Sequence, residues 1–250
     1  MTNAYGLRDA RDASLLPDFV QAISSNDGRG LAVYDADGTL WVNDVADDFT
    51  QWMIAGGHIP GDAWPIYMRI YRDDPPTGCE YLLRFYEGMT RGELAGHVDR
   101  YWREEAARAW VWEVMESLYH LRDDKGYPIW ICSGTPTDFL LPLKEIVGAT
   151  EIVGMDFELD RHGRITGWPH GIPCAGLGKK KKLESLLGPS RQVTFCAGNG
   201  NLDGPMMELA KVAWSVYPDP DFARYSEARA WPILPRPADF VEEEKFLVEN

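Results

Sequence analysis

Two aspartates stand one residue apart directly after an apolar run, in the segment Leu31-Ala-Val-Tyr-Asp35-Ala-Asp37-Gly-Thr-Leu. Side chains of an extended strand alternate, so Asp35 and Asp37 are predicted to lie together at the carboxyl end of a strand, where open α/β sheets bind ligands. Two carboxylates held this close raise each other's pKa unless a divalent cation or a shared proton offsets their charge. The pair therefore predicts a reaction centre, although the segment alone is equally consistent with a strand end and an Asp-Gly turn.

Three later segments carry polar groups that suit an anion or a metal ion. Cys132-Ser133-Gly134-Thr135-Pro136 follows an apolar run and offers a hydroxyl and backbone N–H groups to an anion, or simply caps a helix. Gly178-Lys179-Lys180-Lys181-Lys182 is a dense basic cluster at a predicted helix start, where lysines repel the helix dipole unless an anion or carboxylates face them. Gly198-Asn199-Gly200-Asn201-Leu202-Asp203 ends another apolar run and, taken alone, also suits an Asn-Gly turn.

These segments require strands that end at one edge of a sheet. Apolar runs predict strands at 30–35, 129–132, 151–159, 192–197 and 212–216, with helices at about 15–23, 137–146, 180–187 and 206–211. The alternation predicts an α/β fold with a doubly wound, mainly parallel, Rossmann-like sheet. Residues 43–120 show helical spacing, many aromatics and no strand-like alternation, so they are predicted to form an all-helical insertion. The predicted division is a leader helix at 1–29, a core at 30–42 and 121–250, and the insertion at 43–120.

In this order, each at the end of a predicted strand, the four polar segments resemble the four motifs of the haloacid-dehalogenase-like phosphohydrolases. They are most similar to the branch that contains phosphoserine phosphatase, whose helical cap lies between motifs one and two. The resemblance covers about residues 31–234. It implies a Mg²⁺-dependent phosphatase that hydrolyses a small phosphomonoester through an aspartyl-phosphate, with residues 43–120 as the cap.

The resemblance also assigns roles to residues. Asp35 is implied as the nucleophile and Asp37 as the general acid and base. The implied ligands of the phosphoryl group are Ser133, Gly134 and Lys179. Lys180 is the alternative to Lys179. Mg²⁺ is implied to bind Asp35, the backbone carbonyl of Asp37, and either Asn199 or Asp203. Asn199 departs from the Asp that more often stands there, which makes the metal site less anionic. A catalytically silent relative that binds a phosphorylated ligand, or a phosphotransferase, is therefore the alternative.

Substrate choice is expected to lie in the cap. Asp44 stands where phosphoserine phosphatases carry an acid that meets the substrate's amino group, which suggests an amine-bearing substrate such as a phosphoserine-like one. Those enzymes also carry a partner Arg, which has no clear match in this sequence. Arg84 lies near the expected position, but its spacing from the motifs differs. Aromatic residues near Asp44 in the sequence suit either a cationic headgroup such as that of phosphocholine or simple packing of the cap: Trp41, Trp52, Trp64, Tyr67 and Tyr71.

Composition and charge argue against several classes of partner and location. With 39 acidic and 25 basic residues, the formal charge of −14 argues against a nucleic-acid or anionic-membrane partner. No stretch approaches the roughly 20 apolar residues of a membrane span, and no signal-peptide core is visible. The four cysteines show no paired metal spacing, so they are predicted to be reduced in a cytoplasmic protein.

Overall fold

A sheet of six parallel strands forms the centre of the fold, in the spatial order β3-β2-β1-β6-β7-β8. The computed structural model describes residues 5–8, 10–104 and 109–238. In chain order the strands are β1 Gly30–Tyr34, β2 Ile129–Pro136, β3 Glu151–Met155, β4 Phe157–Leu159, β5 Ile165–Pro169, β6 Gln192–Gly198, β7 Val212–Val216 and β8 Ile233–Leu234. Strands β4 and β5 form a separate antiparallel hairpin. The parallel sheet confirms the predicted Rossmann-like fold class.

Strand β1 is buried along its whole length because it lies between β2 and β6 and both faces of the sheet are covered. Ala32 and Tyr34 pack into the core on one face, and Leu31 and Val33 pack into the core on the other. A continuous apolar run is typical of such a doubly covered parallel strand. The polar segment that begins at Asp35 is thereby placed at the carboxyl end of the central strand.

Helices flank the sheet and fill the insertion. They are α1 Asp18–Gln21, α2 Val45–Ala55, α3 Trp64–Asp73, α4 Pro75–Leu82, α5 Arg91–Glu104, α6 Trp112–Tyr119, α7 Thr137–Leu140, α8 Leu143–Ile146, α9 Leu177–Leu187, α10 Gly204–Met207 and α11 Pro220–Glu227. Helices α2 to α6 lie between β1 and β2, and the described residues there form no strand. The helical character predicted for the insertion is confirmed over those residues.

Three predicted elements are interrupted. The helix predicted at 15–23 is only a 3₁₀ turn at Ala13–Leu15 followed by α1, because Pro17 adopts an extended conformation between them. The helix predicted at 137–146 divides into α7 and α8 near Pro142, since proline lacks the N–H that would continue α7. The strand predicted at 151–159 divides into β3 and β4, which belong to different sheets.

The chain enters and leaves the helical insertion at two adjacent segments. The N–H of Val42 donates to the carbonyl of Ala109 over 3.0 Å, and the N–H of Val111 donates to the carbonyl of Leu40 over 2.9 Å. Between these bonds Trp41 is fully buried, with its ring centroid 5.4 Å from that of Trp110 in an edge-on contact. The two crossings are therefore hydrogen-bonded to each other at the foot of the insertion.

Within the described parts of the chain, every helix is too short or too polar to span a bilayer. All four cysteines are free thiols, which agrees with the prediction that they are reduced.

Candidate active site

Asp35 lies at the end of β1 and is almost fully buried, with 4% of its surface exposed. Its N–H donates to the carbonyl of Ala197 on β6 over 2.9 Å, which continues the pairing of the two strands and fixes its backbone. Oδ1 accepts a hydrogen bond from Nζ of Lys179 over 2.6 Å, and Oδ2 accepts one from the Thr39 hydroxyl over 3.1 Å. Burial and the nearby Asp203 raise the pKa of Asp35, and Lys179 opposes that rise.

Lys179 joins the first and last polar segments of the chain. Its buried Nζ lies 2.6 Å from Oδ1 of Asp35 and 2.6 Å from Oδ1 of Asp203. Burial alone lowers the pKa of Lys179, but Asp203 and Asp35 together raise it well above its ordinary value. The lysine therefore stays charged and holds two carboxylates together in a water-poor site.

The neighbouring lysines face other partners. Lys180 lies 3.7 Å from a carboxylate oxygen of Glu208, and Lys182 pairs with Asp156 and donates to the carbonyl of Gly154. Of the two lysines that the sequence left open, the one that contacts Asp35 is Lys179.

Asp37 is held by four donors from three parts of the chain. Oδ1 accepts the backbone N–H of Val45 over 2.7 Å and the indole N–H of Trp41 over 3.0 Å. Oδ2 accepts the hydroxyl of Thr135 over 2.6 Å and that of Ser133 over 3.3 Å. Burial and the nearby Asp44 raise the pKa of Asp37 to about 7, while the hydrogen bonds lower it. A carboxyl group that titrates near neutral pH suits both proton donation and proton acceptance.

The hydroxyl of Thr135 belongs to the site, whereas the sequence predicted only a backbone N–H donor or a helix cap at this residue. Its hydroxyl makes the shorter of the two hydroxyl contacts to Asp37, and its N–H donates to Oγ of Ser133 over 3.1 Å. The signal was present, because residues two apart in an extended segment face the same way. Ser133 and Thr135 both lie in the extended end of β2.

Asn199 lies against Gly38, across the ends of β6 and β1. A Cβ on Gly38 would stand only 2.1 Å from Nδ2 of Asn199, and Gly38 has a φ of 73°. Only glycine combines that conformation with so close a neighbour. The Asn199 amide is thus packed beside the loop that follows Asp35.

The oxygen atoms near Asp35 fit a magnesium ion. The Asp35 carboxylate, the Asp37 carbonyl and the Asn199 amide come from the adjacent strand ends of β1 and β6. No three acidic, His or Cys side chains of the described chain form a metal cluster, but Mg²⁺ binds through one or two carboxylates and keeps several waters. Asp203 accepts the N–H groups of Asn199 and Gly200 over 2.9 and 3.1 Å through Oδ2, and Lys179 through Oδ1. Both oxygens of Asp203 thus accept hydrogen bonds, as do both oxygens of Asp35, so Asn199 and Asp203 both stay candidate ligands.

A cavity of about 890 Å³ opens above these groups. Its floor includes Asp35, Asp37, Ser133, Gly134, Thr135, Lys179, Asn199 and Asp203. The wall formed by the insertion includes Asp44, Asp47, Asp48, Gln51, Tyr67, Tyr71 and Cys79. In that wall the Tyr67 hydroxyl donates to Oδ1 of Asp47 over 2.5 Å, and both side chains are buried. The insertion therefore presents an acidic wall to the reaction centre.

The cavity separates the predicted aromatic residues into two groups. Tyr67 and Tyr71 line it, but Trp41, Trp52 and Trp64 pack against other side chains outside it. Arg84 also lies outside the cavity lining and stacks on Trp168, 4.2 Å from the ring centroid. Trp52 and Trp64 therefore pack the insertion, whereas Trp41 packs at its foot and also donates to Asp37.

Residues 32–208 match the family model of the haloacid dehalogenase-like hydrolases. The chain belongs to that family. Its matched residues run from β1 past Asp203 and contain all four polar segments, so the family assignment and the geometry of the site agree.

Individual relatives are distant but similar over most of their length. A histidinol-phosphatase of Neisseria meningitidis is 23% identical over 219 residues, which cover 82% of this chain and 98% of that protein. Protein CicA of Caulobacter vibrioides is 26% identical over 198 residues, which cover 72% and 82%.

Solved structures share the fold. A Bordetella pertussis protein of unknown function superposes with a TM-score of 0.72 and 19% identity, covering 82% of this chain and 98% of that one. A substrate-bound phosphoserine phosphatase superposes with a TM-score of 0.60 and 15% identity, covering 84% and 95%.

Proposed function

We propose that this protein is a Mg²⁺-dependent phosphatase that hydrolyses a small phosphomonoester through an aspartyl-phosphate on Asp35. The observation that carries the proposal is the buried contact of Lys179 with Asp35 and Asp203 at the floor of the cavity. A fixed positive charge beside a carboxylate nucleophile stabilises the negative charge of a phosphoryl group as it moves. Membership of a hydrolase family supports the same reaction class.

In the first step a carboxylate oxygen of Asp35 attacks phosphorus, and the bond from phosphorus to the ester oxygen breaks. Asp37 donates its proton to the departing ester oxygen, which leaves as an alcohol. The contacts from Thr135, Val45 and Trp41 hold Asp37 in position for that transfer. Lys179, Ser133 and the N–H groups near Gly134 are the proposed ligands of the phosphoryl oxygens.

In the second step Asp37, now a carboxylate, takes a proton from water while the water oxygen attacks phosphorus. The acyl-phosphate bond breaks, and the Asp35 carboxylate and inorganic phosphate are released. Bound Mg²⁺ supplies positive charge that reduces the repulsion between the nucleophile and the phosphate. The proposed metal donors are Asp35, the Asp37 carbonyl and Asn199. Asp203 accepts the N–H groups of Asn199 and Gly200 and so holds the loop that carries Asn199.

The substrate that we propose carries an amine near Asp44. Asp44 and Asp47 line the wall formed by the insertion, and no Lys or Arg belongs to that wall among the described residues. A substrate carboxylate would thus lack a cationic partner on that side. This favours an amine without a carboxylate, such as histidinol phosphate, the substrate named for one relative, or phosphocholine, over phosphoserine.

The first experiment measures phosphate release from p-nitrophenyl phosphate with Mg²⁺ and with EDTA. We expect turnover that EDTA abolishes, and a loss of at least about a thousandfold in Asp35→Asn, because the amide cannot act as the nucleophile. Asp73→Asn, on the exposed end of α3, is the matched control and should behave as wild type. Equal activity of Asp35→Asn and Asp73→Asn would refute the mechanism.

A panel of phosphomonoesters then tests the substrate class. We expect kcat/KM to be higher for histidinol phosphate and phosphocholine than for phosphoserine and glycerol phosphate. The preference should fall in Asp44→Asn, since the proposed amine contact depends on the carboxylate. A preference for phosphoserine that survives Asp44→Asn would contradict the substrate assignment.

A phosphate-binding protein without activity is the second candidate, because Asn199 makes the metal site less anionic than an Asp would. Binding of inorganic phosphate without turnover of any ester, at saturating Mg²⁺, would favour it. The boundaries 1–29, 30–42 with 121–250 and 43–120, and the cytoplasmic location, stay predictions.

A further inference from the structure

Strand β2 departs from regular pairing with β3 at its polar end. The register shifts between Cys132 and Pro136, so that the three residues 133–135 of β2 lie opposite the single residue Gly154 of β3. We call residues 133–135 the β2 bulge. It contains both of the side-chain hydroxyl groups that donate to Asp37. Bulges bend a strand and redirect its side chains, and they are frequent beside active sites.

Gly154, opposite the β2 bulge, is bound by side chains on both of its backbone polar groups. Its N–H donates to Oγ1 of Thr137 over 3.2 Å, and its carbonyl accepts a hydrogen bond from Nζ of Lys182 over 2.6 Å. A Cβ on Gly154 would stand only 2.5 Å from the carbonyl oxygen of Thr135, so the two strands are in close contact here. The bulge therefore packs directly on Gly154, and Gly154 is held from both sides.

Asp156 joins the two side chains that hold Gly154. Its Oδ1 accepts the Thr137 hydroxyl over 2.7 Å, and its Oδ2 pairs with the ammonium group of Lys182. Only 13% of the Lys182 side chain and 31% of the Asp156 side chain are exposed. The pair is thus better shielded from solvent than an ordinary surface ion pair, whose contribution is small. Lys182 is part of a closed network around the glycine that supports the β2 bulge.

Helix α9 connects this network to the proposed nucleophile. Lys182 follows Lys179 by three residues, and side chains three apart are neighbours on one face of a helix. Lys179 contacts Asp35, and Lys182 contacts Gly154. One turn of α9 therefore bonds both to the nucleophile and to the strand that supports the β2 bulge.

We propose that Lys182 is a positioning residue for phosphoryl transfer, which holds the β2 bulge so that its two hydroxyl groups are directed to Asp37. Lys182 lies outside the lining of the cavity, so its effect on the reaction passes through Gly154 and the bulge. The proposal rests on the proposed phosphatase function. It adds to that function a residue that holds the reacting groups in place without contacting them.

The first test measures kcat and KM for p-nitrophenyl phosphate in Lys182→Met. We expect kcat to fall about tenfold or more while KM changes less than about threefold, because a small displacement of the hydroxyl groups acts mainly on the transition state. Lys181→Met is the matched control, since Lys181 is exposed on the same helix and the change in net charge is the same. Lys181→Met should behave as wild type.

A double-mutant cycle separates positioning from a general loss of structure. Residues that act through one another are not additive, so Lys182→Met should lower kcat by a factor at least about threefold smaller in a Thr135→Val background than in wild type. A general loss of structure would lower kcat by the same factor in both backgrounds.

Amide hydrogen exchange gives a readout that needs no activity. Lys182→Met should speed exchange in a peptide that spans residues 130–137 and leave peptides from β6 and β7 as in wild type, because only the bulge loses its support. Thr137→Val should show the same local change, since it removes the hydroxyl on the other side of Gly154. Thr137→Ser keeps that hydroxyl and should exchange as wild type. This pair also decides the question if Lys182→Met does not fold.

Two outcomes would overturn the proposal. In one, Lys182→Met and Lys181→Met share the same kcat, the same KM and the same exchange pattern. In the other, Lys182→Met costs the same factor of kcat with and without Thr135→Val, and exchange quickens throughout the chain, which would assign the effect to general stability. Absence of turnover in wild type would instead refute the proposed function, and the exchange measurement would still decide whether Lys182 holds the β2 bulge.

Discussion

Gly38 and Asn199 lie in contact across the ends of two adjacent strands, with no room for a side chain at Gly38. The loop after the proposed nucleophile therefore depends on the exact position of the Asn199 amide. This contact joins the first and last of the four polar segments, which stand far apart in the chain.

Gly38→Ala should lower kcat by more than about tenfold and weaken the dependence on Mg²⁺, because the new methyl group displaces Asn199. Gly163→Ala is the matched control, since Gly163 has nearly the same φ, 74° against 73°, but open space around it. Both substitutions put a Cβ on a residue with a positive φ, which strains the backbone. Only Gly38→Ala also puts that Cβ against Asn199. Mg²⁺ titrations of activity that are the same for both variants would show that the Asn199 contact has no role.

Lys179→Met should destabilise the metal-free protein by about 3 kcal/mol or more, because two buried carboxylates lose their counter-charge. In Lys180→Met we expect a change below about 1 kcal/mol, since Lys180 forms only a long surface pair with Glu208. Urea denaturation in EDTA measures both. Added Mg²⁺ should restore part of the stability of Lys179→Met. Equal losses in the two variants would argue against a special environment for Lys179.

Asn199→Asp should lower the Mg²⁺ concentration that gives half of the maximal activity, because it adds a charge to the proposed donor set. Asn201→Asp adds the same charge at an exposed position two residues along the loop and should change that concentration less. Mg²⁺ titration of p-nitrophenyl phosphate turnover measures the difference. An unchanged half-saturating concentration in Asn199→Asp would exclude Asn199 as a ligand.

The partly buried carboxyl group of Asp138 predicts that the free energy of unfolding depends on pH. Burial raises the pKa of Asp138, and Arg91, whose Nε lies 3.4 Å from Oδ1, opposes that rise. Oδ2 is buried and has no hydrogen-bond partner among the described residues. A carboxyl group with a raised pKa binds its proton more tightly in the folded state, so its charged form destabilises the fold above that pKa. Asp138→Asn should therefore increase the free energy of unfolding near neutral pH, and the gain should shrink as the pH falls towards the ordinary value of 3.8.

Urea denaturation at about pH 7.5 and about pH 4.5 measures the effect of Asp138→Asn. Asp73→Asn, with 69% of its side chain exposed, should show no such dependence. A gain that is the same at both pH values would rule out titration of Asp138 as the cause.

The sequence was sufficient for five of the six strands of the parallel sheet and for the residues at its carboxyl edge, whereas the two-residue strand β8 was not predicted. Asp35, Asp37, Ser133 and Lys179 each follow or begin a strong local pattern, and parallel strands bring such positions to one edge. The contact of Tyr67 with Asp47 was not predictable, because it joins two helices of the insertion whose packing has no local signal. The division of 151–159 into β3 and β4 was missed for a related reason: alternation shows that a segment is extended, but does not show which sheet it joins.

Trp41 connects the foot of the helical insertion to the proposed proton donor. Its indole N–H donates to Asp37, and its ring packs edge-on against Trp110, in the segment by which the chain leaves the insertion. The indole of Trp41 is thus one side chain that contacts both the foot of the insertion and the Asp37 carboxyl group. The orientation of that carboxyl group depends in part on how the insertion packs at its foot.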